Sequence, residues 1–317
     1  MKLCSVTIAA MHKQKQVPWK AYLALGSGLL LLGFSAIFVS LANAPGTIVG
    51  FYRMTFGALI LLVPFLLQRR KFPALPKKGI ALALLAGAFF GADVSAWASG
   101  ITLSGPTLPT LFANTNPLWV GLGAWLLFKE QLGKGFWIGL ALALSGAALI
   151  LGADFSNGLR LDPGMMLGLL ASVFYGAYFL VAQRGRELVQ ALSFFWLSTF
   201  GSALTLLVVN LILRVPFSGY PAESWVNFFA QGLVIQSVGW YLISYAQGYL
   251  PASLVSPTLL GQPVLTAILA GPILGESLRS GYLIGGGAVL LGIFIVHRSR
   301  FSEKENGEVG TALGDKQ

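Results

Sequence analysis

One cysteine (Cys4) and two histidines (His12 and His297) are present in 317 residues. That excludes an internal disulfide framework and any cysteine- or histidine-rich metal site. Charge is scarce too: Asp, Glu, Lys and Arg make up 10% of the chain, against about 25% in soluble domains. A chain so poor in charge cannot cover a water-facing surface. There is no phosphate-cradling Walker loop, no HExxH and no GxSxG, which leaves the usual hydrolase and zinc-enzyme signatures unfilled. No loop between apolar runs is long enough to hold a nucleotide-hydrolysing domain, so any vectorial work would be driven by gradients. What the chain has instead is apolar bulk: 56% hydrophobic residues and a mean hydropathy of +0.75. The composition is that of an all-α, multi-pass membrane protein without a cofactor or metal.

A bilayer core of about 30 Å needs about 20 helical residues. Apolar runs of that kind fall at 20–41, 46–67, 79–100, 107–128, 135–152, 164–182, 191–213, 225–247, 252–273 and 281–297, which predicts ten transmembrane helices. They are about twice the length of barrel strands and do not alternate, so helices are expected rather than a β-barrel. The net charge of +10 sits in short loops between these runs, which argues against nucleic acid as a partner. With the N-terminus cytoplasmic, 17 basic residues face the cytoplasm, three (Arg160, Arg214 and Arg279) face outward, and Arg53 lies in a span. The positive-inside rule favours that orientation, with both termini cytoplasmic in the cell membrane. Residues 1–19 read as a cytoplasmic arm and 298–317 as a disordered cytoplasmic tail.

Residues 117–146 recur 146 positions later, at 263–292, with nine identities and no gap: Pro117/Pro263, Ala124/Ala270, Glu130/Glu276, Leu132/Leu278, Gly135/Gly281, Ile138/Ile284, Gly139/Gly285, Leu144/Leu290 and Gly146/Gly292. Chance in so Leu- and Gly-rich a chain gives roughly three. The copies start in the fourth and ninth spans. An odd number of spans separates them, so the two halves are expected to be inverted relative to each other. The halves are 20–152 and 164–297, joined by a loop at 153–163. Inverted repeats can open a central site to one side and then the other.

Two charged residues lie well inside the spans, Arg53 and Asp93, each about 10 Å from the same membrane face. A charge in mid-membrane costs at least about 2.5 kcal/mol, so each must face protein or water. They fit either an ion pair locking the second and third spans or a site where Arg53 holds a carboxylate or phosphate and Asp93 an ammonium or a proton. Asn114-Thr115-Asn116-Pro117 interrupts the fourth span, and Leu260-Gly261-Gln262-Pro263 repeats the interruption in the ninth. Pro117 and Pro263 each remove a backbone donor and obstruct a carbonyl one turn back. A broken helix with an amide beside it is a recurrent cavity lining, although neighbouring helices also tolerate a simple kink. Asn114, Asn116 and Gln262 are therefore candidate hydrogen-bonding groups. Ser35, Trp97, Tyr175, Tyr178, Trp240 and Tyr241 are candidate lining residues, with Ser95, Trp196, Gln236 and Tyr245 behind them. Gly135 with Gly139 and Gly281 with Gly285 are spaced for close helix packing, within the chain or at a dimer interface. Glu130 has Lys134 at i+4 and Glu276 has Arg279 at i+3, which suits local ion pairs in the hairpins.

The stretch 98–151, with Asn116-Pro117, Lys129-Glu130-Gln131-Leu132 and Gly139…Gly146, resembles the EamA domain of the drug/metabolite transporter superfamily. So does 245–296, with Gln262-Pro263, Gly275-Glu276-Ser277-Leu278 and Gly285…Gly292. Phe51-Tyr52-Arg53-Met54-Thr55 resembles that family's arginine-bearing second span. The resemblance implies ten helices in two inverted five-helix repeats around a central cavity, and export of amino acids or related metabolites. Lys129 stands where the family usually has glycine, and the second half has Phe195, Trp196 and Leu197 near the position of Arg53. The expected activity is secondary active export of small polar or amphipathic metabolites, with protons as a candidate coupling ion and a monomer or homodimer as the assembly. The rival readings are a non-transporting scaffold or receptor, and an intramembrane enzyme resting on Asp93 alone. Single cysteines introduced beside Glu130 and beside Glu276 are expected to react with an impermeant maleimide from opposite membrane faces; reaction from one common face overturns the inverted repeat.

Overall fold

The computed structural model describes residues 17–71, 74–105, 107–151, 162–274 and 280–314. Among the described residues every regular element is helical. α1 (Trp19–Gly33) and α2 (Ser35–Ser40) meet at a break at Phe34, and α3 (Gly46–Lys71) and α4 (Lys77–Ser104) follow. α5 (Thr107–Ala113) and α6 (Asn116–Phe128) flank a second break, and α7 (Lys134–Ile150) comes next. α8 (Pro163–Leu188) and α9 (Ala191–Ile212) are continuous. α10 (Ala222–Ala230), a π-helical stretch (Gln231–Trp240) and α11 (Tyr241–Ala246) form one rod. α12 (Ala252–Thr258) passes through a 3₁₀ turn (Leu259–Gly261) into α13 (Gln262–Leu274), and α14 (Ser280–Gly314) follows. Eight helical rods among the described residues are long and apolar enough to cross a bilayer. α7, at 17 residues, and the two pieces α5 and α6 fall short of that length singly.

Proline sets many of the starts. Pro18, Pro76, Pro221 and Pro251 precede α1, α4, α10 and α12, each in an extended conformation, and Pro163 opens α8. Its missing N–H costs nothing at a helix start. Asp162 caps α8: its carboxylate accepts from the amides of Gly164 at 2.7 Å and Met165 at 3.1 Å, and from the Ser104 hydroxyl at the end of α4. The Ser104 and Met165 bonds hold this carboxyl below its ordinary pKa. α6 ends on Lys129 at φ 55°, left-handed backbone that favours glycine, and the amide of Glu130 closes the cap on the Ala124 carbonyl at 3.1 Å. α14 runs past the apolar residues to Gly314, where the sequence reading expects a disordered tail; its Glu and Lys residues there are good helix formers.

The repeated glycines make a close backbone contact between the halves. A Cβ placed on Gly139 would lie 2.7 Å from the Gly292 carbonyl oxygen, and one on Gly146 would lie 2.5 Å from that of Gly285. Gly139 is the repeat partner of Gly285, and Gly146 of Gly292, so each glycine meets the partner of the other. Parallel helices would pair 139 with 285; the crossed pairing means that α7 and α14 run antiparallel. Gly135 likewise approaches Ser299, at 3.0 Å from such a Cβ. Gly135, Gly139 and Gly285 thus pack within the chain. The main core gathers Phe90, Tyr178, Phe194, Trp240, Leu254 and Leu259 from α4, α8, α9, the π-helical rod and α12 with its turn, and a second cluster lies between α7, α13 and α14. Leu59, Val63, Ile138, Ile212 and Leu283 are exposed, as side chains turned to lipid must be.

The crossing is testable with an internal control, because a Cβ at Gly26 would meet nothing within 4 Å. Gly146→Ala is expected to destabilise the detergent-solubilised protein by about 1–3 kcal/mol through overpacking, read as a lowered Tm, while Gly26→Ala leaves Tm unchanged or raises it.

Candidate functional site

Backbone irregularities converge on one cavity. The break at Phe34 lies between Leu32 and Ser35, the break after Ala113 adjoins Asn114, the 3₁₀ turn leads into Gln262, and the π-helical stretch ends at Trp240; five of these residues and Ala113 line it. Arg53 from α3, Phe90, Asp93, Val94 and Trp97 from α4, Thr110 from α5 and Tyr175 from α8 complete the wall. Irregular backbone survives at membrane depth only where protein or a wet cavity satisfies it. Here the side chains at the break do so. Pro117 has no N–H to offer the carbonyl of Ala113, and the Asn116 amide takes that carbonyl at 3.3 Å. Asn114 Nδ2 donates to the Thr110 carbonyl at 2.9 Å and Thr115 Oγ1 to that of Phe112 at 2.6 Å. Thr266 Oγ1 donates to the Gly33 carbonyl at 2.8 Å, covering the break between α1 and α2. The duplication extends to the helices that leave the breaks: α6 and α13 are both 13 residues long and start and end 146 positions apart.

The cavity holds about 150 Å³. That is below the roughly 300–1,000 Å³ of sites for drug-sized ligands, so what fits is small. Its walls are aromatic. Phe90 stacks on Tyr178 at 4.9 Å between centroids and meets Trp240 edge-on at 4.7 Å. Trp97 Nε1 donates to Thr110 Oγ1 at 3.0 Å, which fixes the indole in the wall.

Arg53 and Asp93 are 9% and 7% exposed and face this cavity together. Among the described residues neither has a hydrogen-bonding partner or an ion pair within 4.0 Å, and Arg53 Nε is buried with its proton unmatched. The nearest support for the guanidinium is the face of Phe90, 5.9 Å from Cζ. Buried charges are normally paired or hydrogen-bonded. Two unsatisfied opposite charges on one small cavity are able to receive a ligand carrying complementary groups.

Of the residues expected from the sequence, Ser35, Arg53, Asp93, Trp97, Asn114, Tyr175, Trp240 and Gln262 line the cavity. Asn116, Tyr178 and Tyr241 are not among its lining residues. Asn116 is consumed by the carbonyl that Pro117 strands, Tyr178 lies one turn deeper on α8 beneath Phe90, and Tyr241 turns toward Phe195 at 6.1 Å. Sequence reasoning missed Phe90 and Thr110. A usable signal existed: each stands one turn before a polar candidate, Phe90 before Asp93 and Thr110 before Asn114, on the same helix face. The local pairs expected of the hairpin glutamates are corrected at Glu130, whose carboxylate reaches Arg300 at 2.6 Å and not Lys134. The burial of that hairpin end against α14 is the reason. Glu276 lies outside the described residues.

The sequence profile of the EamA-like transporter family matches residues 19–152 and 162–298. The uncharacterized transporter YetK of Bacillus subtilis (strain 168) is 26% identical over 295 residues, covering 87% of this chain and 86% of its own. An uncharacterized transporter of Archaeoglobus fulgidus is 25% identical over 274 residues, covering 85% and 93%. A solved crystal structure superposes with a TM-score of 0.72 over 87% of this chain and 96% of its own, at 18% identity, a likeness of fold.

The unpaired charges make a stability prediction. Arg53→Met/Asp93→Asn removes two desolvated groups that no hydrogen bond offsets, so Tm is expected to hold or rise. A fall equivalent to about 3 kcal/mol, as when a buried ion pair is broken, would identify them as a structural lock.

Proposed function

The chain belongs to the EamA-like transporter family and is a multi-pass membrane protein; on that premise we propose that it is a secondary active exporter of small polar or amphipathic metabolites such as amino acids. The observation that carries this reading is the pair of buried, oppositely charged residues, Arg53 and Asp93, on one cavity of about 150 Å³, neither of them in a hydrogen bond or an ion pair within 4.0 Å among the described residues. A solute bearing a carboxylate and an ammonium group supplies both missing partners. Hydrogen bonds to charged groups contribute about 1.5–3 kcal/mol each, and to a guanidinium or a carboxylate they are charge-assisted and directional. Asn114 and Gln262 offer amides from the two halves, and Phe90, Tyr175 and Trp240 offer aromatic surface for the apolar part of the solute. With the solute absent, Asp93 is the residue suited to carry a proton, which couples export to proton entry.

Alternating access requires two halves of opposite orientation. The crossed contacts of Gly139 with Gly292 and Gly146 with Gly285 support that arrangement, because they lie on an antiparallel pair formed by repeat-equivalent helices. The contacts of the other elements support it as well: α4 packs on α8, and in the reciprocal pairing α1 packs on the rod α10–α11. In this reading α5 with α6 crosses as one kinked span and α7 as another, which makes ten spans in two five-helix repeats, 20–152 and 164–297. Both termini then lie in the cytoplasm and the protein in the cell membrane.

Proteoliposomes loaded with a panel of amino acids and related metabolites test the proposal. Flux of at least one is expected, raised by an opposing proton gradient. Arg53→Met and Asp93→Asn should each lower it by about ten-fold or more, the effect of losing one charge-assisted bond. Absence of flux across a broad panel, with folded protein, overturns the proposal.

A further inference from the structure

The connection after α6 carries a polar cluster that the cavity does not use. Glu130 Oε2 accepts from Arg300 Nη2 and from Ser253 Oγ, both at 2.6 Å, and Oε1 faces Gln183 Nε2 at 3.4 Å. Gln183 Oε1 in turn accepts from the Ala252 amide at 2.6 Å, and Arg300 Nη1 donates to the Gln131 carbonyl at 3.0 Å. Glu130 and Gln131 belong to the first repeat; Gln183, Ala252 and Ser253 belong to the second, and Arg300 lies just past it on the same helix, α14. The cluster therefore ties the end of α6 to α8, α12 and α14 at one face of the molecule. It is shielded but not sealed, since the two charged side chains are 14% and 16% exposed.

The cavity is closed on this side. On α8, Gln183 lies eight residues beyond Tyr175, about 12 Å along the helix, and Tyr178 and Phe179 between them are buried. On α12, Ser253 lies nine residues before Gln262, with Leu254, Val255 and Leu259 buried between. Away from this face, Trp97, Thr110, Ala113 and Asn114 on the cavity wall are partly exposed.

We propose that the bonds from Glu130 to Arg300 and Ser253 are the latch of a gate, which holds the cavity shut toward the Glu130 face and parts when solute passes that way. This rests on the transport reading. The apolar plug of Tyr178, Phe179, Leu254, Val255 and Leu259 separates without stranding any polar group, so by itself it sets no discrete closed state. The latch does, because its geometry is directional. It also opens at modest cost: Glu130 follows the end of α6 and Arg300 stands where the apolar span of α14 ends, so both charges regain hydration when they part, unlike a pair buried in mid-membrane.

Accessibility from each face tests the latch without any solute. In a Cys4→Ser background, Ala113→Cys places a reporter on the cavity wall, and right-side-out and inside-out membrane vesicles are treated with an impermeant maleimide. The reporter is expected to react slowly from the Glu130 face. Glu130→Gln should speed that reaction several-fold, and the exchanged pair Glu130→Arg/Arg300→Glu should slow it again. If Glu130→Gln does not fold, Ser253→Ala, which removes one hydrogen bond and no charge, is expected to shift the rate in the same direction. An unchanged ratio of rates from the two faces in a monodisperse variant overturns the latch. A ratio that responds in a protein that moves no solute retains the gate and sinks the transport reading; flux by the parent protein with an unresponsive ratio does the reverse.

Discussion

The fold hangs on a backbone contact. Where α7 crosses α14, the Cβ positions of Gly139, Gly146, Gly285 and Gly292 are filled by the carbonyls and amides of the opposing helix. In lipid, helices gain little from hiding apolar surface, so association relies on close van der Waals approach. Glycine is the residue that permits it. Because repeat-equivalent glycines meet crosswise, this one contact brings the two copies of the repeated segment together in antiparallel order. The interrupted rods α5–α6 and α12–α13 follow the same duplication, and each brings its break to the cavity.

The molecule distributes its polar satisfaction unevenly. Carbonyls freed by the breaks are covered by Asn114, Thr115, Asn116 and Thr266, and the helix ends at the Glu130 face share a closed set of hydrogen bonds. Other buried polar atoms are left unmatched, among them Asn210 Oδ1, Gln231 Oε1, Gln236 Oε1 and both amide atoms of Gln247, and at the cavity Arg53 Nε is unmatched as well. What sets Arg53 and Asp93 apart is charge, because burying a charged group without a hydrogen bond costs more than burying a neutral amide or hydroxyl.

Much of this was legible in advance. The shift of 146 residues located the repeat, its glycines and both interruptions, and the helices after the breaks keep that register to the residue. The rarity of charge in the spans singled out Arg53 and Asp93. The reading went astray where a side chain had two available tasks. Asn116 was expected in the cavity beside Gln262, its repeat partner, yet the carbonyl stranded by Pro117 claimed it. Glu130 had a lysine at helical spacing, yet an arginine 170 residues away took it. The π-helical stretch at 231–240 had no sequence signal, because its register is set by packing against α3 and α1.

Composition, apolar run lengths and the internal repeat are one-dimensional quantities, and hydrocarbon leaves them only one kind of solution, since every backbone polar group must be paired within a helix. Those quantities by themselves determined a helical, duplicated membrane protein with two charges that have to face its interior. Which polar group meets which was decided by the tertiary structure alone. Competition for a stranded carbonyl or a distant carboxylate depends on separations of a few ångströms between segments far apart in the chain, and those separations exist only once the helices have packed.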